Sequence, residues 1–377
     1  MHLVVVSHAC VTDINQQVFA EMESLGHKID LIVPRNFIAP GLTDEPIKVR
    51  RWPEFKGRII EIPILFNKSI PLHFYKKNLS KMFYNSRPDA VYVAEEPYSL
   101  SCFQIVRSAI PFTKVIGFYS AQNINKKYPY IFTKMEQYVY KNSSVAICVS
   151  KDVTKVLREK GYKKDVQEIA LGVDEGHFIY SQKYRNISRK ELNIPTDAYV
   201  IGYAGRIVQE KGVDLLIEAF TDVALSDRNT YLIIIGRGPL LDNMKEMVDK
   251  SEISHLVKFV DYASHTDMPK WFNCMDVHVL PSKTMPNWRE QFGRVLVEAG
   301  ACGVPSIGSS SGEIPNVLKN MGMNSIFEEG KKKDLVKEII KLKNEPVDPL
   351  LIRNVTIAQY GNKGIAVQII DAFKNVI

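Results

Sequence analysis

Glu290 and Glu298 stand eight residues apart, separated by Phe292, Gly293 and the apolar run Val295-Leu296-Val297. Pro286 and Asn287 precede the pair and predict a loop at Glu290. Gly293 predicts the start of a helix, with Glu298 about one and a half turns inside it. A helix N-terminus offers free backbone N–H groups to an anion, and a carboxylate accepts hydrogen bonds from hydroxyls. A phosphate seat flanked by two hydroxyl acceptors describes a sugar-nucleotide site. The same spacing also fits a surface loop followed by an ordinary helix with one outward Glu.

Further segments extend the pattern. Ala301-Cys302-Gly303-Val304-Pro305 and Gly312-Glu313-Ile314-Pro315 follow the two acids. Gly205-Arg206, Lys211-Gly212 and Asp214 precede them, as do Gly236-Arg237-Gly238-Pro239 and Gly172-Val173-Asp174 with Phe178. On these motifs the chain resembles the retaining glycosyltransferases of family 4, densely from about 165 to 318 and thinly before that. The resemblance implies an α/β fold of the GT-B kind, two Rossmann-like domains with parallel sheets facing across a cleft. It implies a retaining hexosyltransferase that moves a hexose from a nucleotide-sugar donor to a hydroxyl acceptor, in polysaccharide or glycoconjugate synthesis. UDP-glucose is the first donor expected, on family frequency alone. Three competing readings are a sugar-nucleotide epimerase of similar fold, a catalytically silent nucleotide-sugar-binding subunit and a two-lobed solute-binding protein.

The resemblance also assigns roles. Arg206 and Lys211 would face the diphosphate, Arg through parallel hydrogen bonds and Lys as a point charge. Two solvated surface cations are the alternative. Glu298 would hold the ribose hydroxyls and Glu290 the donor sugar. Phe292, Gly293 and Arg294 would offer backbone N–H groups to the distal phosphate or the sugar. Val260 and Tyr262 would flank the base, although the family usually has Gly where Asp261 or Tyr262 stands. Gly236 fits a ligand contact or a tight turn equally well.

The first half departs from the family. Its first loop, Ser7-His8-Ala9-Cys10-Val11-Thr12-Asp13, has no glycine. Tyr119-Ser120-Ala121-Gln122-Asn123 stands where many members carry a histidine. Gln122 or Asn123 would hydrogen-bond the donor sugar there, and neither is a general base. That suits a retaining mechanism in which the leaving phosphate deprotonates the acceptor. His8 is a possible substitute, or a packed histidine at a strand end. Glu95-Glu96-Pro97 either faces the acceptor or sits at a helix N-terminus. No Asp-x-Asp occurs in the chain, and no His/Cys cluster suggests zinc. The expectation is therefore no metal and no cofactor.

Composition supplies the frame for these residues. A chain of 377 residues, 45% hydrophobic and 24% charged, suits two soluble domains. No apolar run approaches the ~20 residues of a membrane span, and His2–Ser7 reads as a buried first strand rather than a signal peptide. The cysteines Cys10, Cys102, Cys148, Cys274 and Cys302 lack metal spacing and point to reduced thiols, hence a cytoplasmic location. Residues 1–177 carry 24 Lys and Arg against 18 Asp and Glu; the remainder carries 25 against 24. Read as a helix, 71–86 puts Leu72, Tyr75, Leu79, Met82 and Phe83 near one face, with Lys76, Lys77 and Lys81 mostly elsewhere. This is an ordinary amphipathic helix or a weak peripheral anchor at the inner membrane face. Without a binding motif the charge does not indicate nucleic acid.

Strands are predicted at 2–7, 29–33, 89–94, 114–119 and 145–149, with helices near 14–25, 71–86, 98–109, 126–141 and 151–160. A second series has strands at 199–204, 231–235, 256–260, 276–280 and 304–308, with helices at 211–224, 239–250, 293–301 and 331–344. Such alternation implies two parallel sheets. The domains are expected at 1–177 and 178–360, with a terminal helix at about 361–377 returning to the first. The boundary region, 172–195, has no clear periodicity.

Overall fold

A computed structural model describes residues 1–40 and 43–376. The chain divides into two compact units, Met1–Gly172 with Asn362–Ile377, and Val173–Gly361. Among the described residues no helix is long and apolar enough to cross a membrane.

The first unit is an eight-stranded sheet. Its strands are β1 (His2–Val6), β2 (Lys28–Arg35), β3 (Arg58–Leu65), β4 (Phe74–Tyr75), β5 (Ala90–Val93), β6 (Val115–Ser120), β7 (Val145–Cys148) and β8 (Asp165–Glu168). They lie in the order β4-β3-β2-β1-β5-β6-β7-β8, parallel except for the antiparallel pair β3–β4. The apolar runs form the buried centre, as uninterrupted hydrophobic strands do in parallel sheets. Strands β3 and β8 were not expected. They carry alternating or polar residues such as Glu61 and Gln167 and lie toward the sheet margins, where one face meets water.

The expected helix over 71–86 is corrected. Only Leu79–Ser86 is helical, capped by the Asn78 side chain accepting from the Lys81 N–H. Phe74–Tyr75 instead pairs with β3, and Tyr75 is fully buried there. The stretch therefore offers no continuous amphipathic face to a membrane. The terminal helix Asn362–Lys374 belongs to the first unit and buries Ile365, Ile369, Ile370 and Phe373 in its core. Phe373 packs edge-on against Tyr92 at 5.5 Å.

The second unit holds six parallel strands: β9 (Tyr199–Ala204), β10 (Thr230–Ile235), β11 (Val257–Val260), β12 (Val277–Leu280), β13 (Ser306–Ser309) and β14 (Ile326–Phe327). Their order is β11-β10-β9-β12-β13-β14. The region without periodicity contains a helix, Gln182–Glu191. Its anchor is polar, which explains why a hydrophobic pattern misses it. Arg189 is 1% exposed and donates to Asp276 at 2.7 Å and to the carbonyls of Thr196 and Ala198. This helix is part of the second unit, which begins at Val173 rather than at 178.

In each sheet the strand order reverses once, between β1 and β5 in the first and between β9 and β12 in the second. Open parallel sheets bind ligands in the crevice beyond the carboxyl ends of strands at such a reversal. The fold thus nominates the loops after β1, β5, β9 and β12.

Candidate functional site

In the second unit the loops after β9 and β12 meet through an ion pair. β9 ends at Ala204, and the chain turns through Gly205 and Arg206 into a short 3-10 turn, Gln209–Lys211. β12 ends at Leu280 and is followed by the long loop that carries Ser282 and Glu290. Lys211 Nζ donates to Glu290 Oε2 at 2.5 Å, and Ser282 Oγ donates to the same oxygen at 2.9 Å. Glu290 is 7% exposed. The ammonium also lies 5.0 Å from the Trp288 ring centre. A lysine has three donors, so one bond to Glu290 leaves capacity for a phosphate oxygen. Arg206 is held loosely, 3.4 Å from Glu210 with its side chain 55% exposed, and its guanidinium is available to an anion.

Gly293 adopts the left-handed conformation, φ 84°, and opens the helix Arg294–Ala301 as expected. The first N–H groups of such a helix have no intrahelical partner. Phe292 is buried edge-on against Tyr360 at 5.8 Å, so its side chain anchors this turn. Glu298 lies one turn in, buried, with Arg294 Nε 3.2 Å and His265 Nε2 3.5 Å from its Oε1. Sequence reasoning missed His265. It follows β11 in an irregular segment, and only the folded chain brings it to Glu298.

Steric crowding explains the other glycines. A Cβ on Gly236 would lie 1.8 Å from the Gly205 carbonyl oxygen. One on Gly312 would lie 2.0 Å from the Glu290 carbonyl oxygen. These positions let the strand ends come together, and Gly236 is explained by that turn. Val260 is held in the sheet, its carbonyl accepting the Gly236 N–H at 3.0 Å. Tyr262 is 66% exposed at the rim, with the Arg237 guanidinium 4.9 Å from its ring centre. A cavity of about 420 Å³ opens at the opposite, amino-terminal end of these strands, lined by Arg185, Tyr199 and Asp276 among others. Its charged Asp276 is already bound by Arg185 and Arg189.

The first unit has its own polar pair at its reversal point. His8, after β1, bonds Glu95, after β5, twice. Its backbone N–H reaches Oε1 and its Nδ1 reaches Oε2, both at 2.6 Å. Burial disfavours the charged imidazole, but the Glu95 charge and hydrogen bond outweigh it and hold the His8 pKa above the usual value. Burial likewise pushes Glu95 upward, and His8 more than reverses this, leaving the carboxyl below its usual range. His73 is fully buried, with Nε2 3.9 Å from Glu95. His8 packs against Phe37 and His73 at 5.4 and 5.9 Å.

Next to this pair, Glu96 accepts from Ser120 Oγ at 2.8 Å and from the Ala121 N–H at 2.7 Å. Burial pushes its pKa up to about 7 despite both bonds. Glu96 thereby fixes the loop that carries Gln122 and Asn123. The Gln122 amide is turned into that loop, donating to the Ile124 carbonyl at 2.9 Å, and Asn123 is buried.

Comparisons with known proteins extend this geometry. Residues 185–363 match the family model of the glycosyl transferases group 1. The chain is 29% identical over 170 residues to the lipopolysaccharide core biosynthesis glycosyltransferase LpsD of Rhizobium meliloti, covering 45% of each chain. It is 30% identical over 207 residues to the capsular polysaccharide biosynthesis glycosyltransferase CapM of Staphylococcus aureus, covering 53% of this chain and 52% of that one. The chain therefore spans about half the length of the curated relatives it matches. Among solved structures, Anabaena HepE in complex with UDP superposes with a TM-score of 0.74 at 14% identity, over 100% of both chains. That likeness gives the fold, which is the GT-B arrangement of two Rossmann-like domains.

Proposed function

We propose that this chain is a retaining glycosyltransferase of family 4 that takes its donor in the second unit. The observation that carries the reading is the Lys211–Glu290–Ser282 contact at the reversal point, beside Arg206 and the helix that Gly293 opens. Cations at the carboxyl ends of strands serve a leaving diphosphate, where negative charge develops in the transition state. Arg206 and Lys211 would bind it, Glu290 would hold donor-sugar hydroxyls and Glu298 the ribose. The bond between the anomeric carbon and the diphosphate oxygen breaks. The acceptor oxygen bonds that carbon on the same face, and its proton passes to the leaving phosphate oxygen. Gln122 or Asn123 is proposed to hydrogen-bond the donor sugar, with His8, held by Glu95, as the possible substitute.

The proposed donor is a nucleotide-linked hexose, UDP-glucose first, and the proposed acceptor a growing polysaccharide or lipid-linked sugar. A lipid-linked acceptor at a membrane face would meet the scattered cations of the first unit, such as Lys76, Lys77 and Lys81, rather than an amphipathic helix. Neutralisation of the diphosphate by Arg206, Lys211 and a helix N-terminus supports a reaction without metal. The test is thermal melting in EDTA with UDP, GDP, ADP and their sugar conjugates. Saturation at 100 times the dissociation constant stabilises the native state by about 2.7 kcal/mol. A selective shift supports metal-free donor binding, and no shift with any nucleotide overturns it. Release of free nucleoside diphosphate together with a new glycosidic bond separates transfer from epimerisation. Donor hydrolysis without acceptor separates an enzyme from a silent subunit.

A further inference from the structure

Two basic side chains approach the same oxygen of Glu298. Arg294 Nε and His265 Nε2 both lie on Oε1, at 3.2 and 3.5 Å, and among the described residues no side chain bonds Oε2. Neither approach is a hydrogen bond, so their hold on the carboxylate is electrostatic and biases that oxygen toward them, leaving the other for a ligand. His265 is itself held. Its ring lies nearly parallel to that of His177, 5.6 Å away, and the Phe178 ring meets it edge-on at 5.0 Å. His177 Nε2 lies 3.2 Å from the His265 carbonyl oxygen. His265 Nε2 is buried and makes no hydrogen bond. A buried donor left at 3.5 Å from a carboxylate has a bond still to form. The residue belongs to the same segment as Tyr262, between β11 and the short helix Met268–Phe272.

We propose that His265 is a positioning residue that sets Glu298 for a ribose, so that Glu298 Oε2 takes the sugar hydroxyls of the nucleotide. This rests on the donor reading above. His265 does not contact the ligand. It acts through the carboxylate and is braced by His177 and Phe178, which lie at the start of the second unit. The segment after β11 thus couples the nucleotide's ribose to its base: Tyr262 stands at its exposed rim, and the half-buried His265 turns its Nε2 inward.

The experiment compares ribose with deoxyribose. The probes are the nucleoside diphosphate that shifts melting in the four-ligand series above and its 2′-deoxy and 3′-deoxy forms, each titrated by calorimetry in EDTA. The wild type should prefer the ribonucleotide to at least one deoxy form by roughly tenfold or more, the range of a hydrogen bond to a charged acceptor. His265→Ala should reduce that preference to below about threefold while leaving affinity for the deoxy form within about twofold. His265→Gln, which can place an amide N–H near Oε1, should restore most of the preference. A purely structural role would weaken all the ligands alike and leave the ratio unchanged. An unchanged ratio in His265→Ala, or an equal loss for every ligand, overturns the proposal. A wild type without ribose preference overturns it as well. A wild type that binds no nucleotide overturns the donor reading first, which keeps the two failures distinct.

Discussion

Lys211 and Glu290 form an ion pair largely shielded from water. Removing one partner of such a pair leaves an uncompensated charge and is far more damaging than removing both. Lys211→Met should therefore lower unfolding free energy by about 3 kcal/mol, and the double variant with Glu290→Gln should recover most of that loss. Urea unfolding of the second unit measures both, and a double variant no more stable than Lys211→Met would sink the argument. Titration supplies a second residue-scale prediction. The Glu96 carboxyl is raised to about 7 in the folded chain. A raised carboxyl binds its proton more tightly folded than unfolded, so its contribution is fully present below about pH 4.5 and is lost as pH rises through 7. That loss is about 3 kcal/mol. His8, raised by Glu95, contributes with the same sign: its share is present below its unfolded value and disappears above its folded one. Glu95, depressed, acts oppositely, and its share fades as pH falls. Glu96→Gln should flatten the decline between pH 5 and 8 in urea titrations; an unchanged slope would assign the decline to other groups. The acids and cations of the second unit were legible because their order along the chain is a pattern. His8–Glu95 was legible only as two separate candidates, because 87 positions separate them and nothing in the sequence pairs them.

Elements position these residues through close backbone approach. The Glu290 loop is seated against the turn after β13, where the Glu313 N–H donates to the Glu290 carbonyl at 3.1 Å. Gly312, φ +54°, has no room for a Cβ there. Gly312→Ala should cost on the order of 2 kcal/mol through strain at that position, and it should depress donor hydrolysis by displacing Glu290. Unfolding and hydrolysis together check this; a variant with wild-type turnover would free Glu290 from the constraint. Most strands and the longer helices were readable from apolar runs and helical spacing. Failures occurred where burial is not apolar in pattern. The helix Gln182–Glu191 is anchored by Arg189 and Asp276. The span 71–86 divides because Phe74–Tyr75 joins a sheet edge, a choice made by β3 and not by local periodicity.

At the scale of the molecule, the chain leaves its first unit at Gly172 and returns at Asn362. The returning helix is part of that unit's core. Phe373→Ala should destabilise the first unit by about 3–5 kcal/mol, the usual cost of truncating a buried aromatic. On the donor site proposed for the second unit, nucleotide affinity should be unchanged, and urea unfolding paired with nucleotide calorimetry reads both. A Phe373→Ala chain as stable as the wild type would show that the helix is dispensable to that core. The sequence by itself determined the alternation of strands and helices, the expectation of two parallel sheets and the order of charged motifs in the second half. These are local or periodic properties, carried by neighbours along the chain. Tertiary structure alone decided the strand orders and their reversal points. It also decided that His8 meets Glu95, that Lys211 meets Glu290 and that His265 meets Glu298. Each contact joins residues from separate elements or loops, and the energy that selects it comes from packing and charge burial between them, to which local sequence is blind.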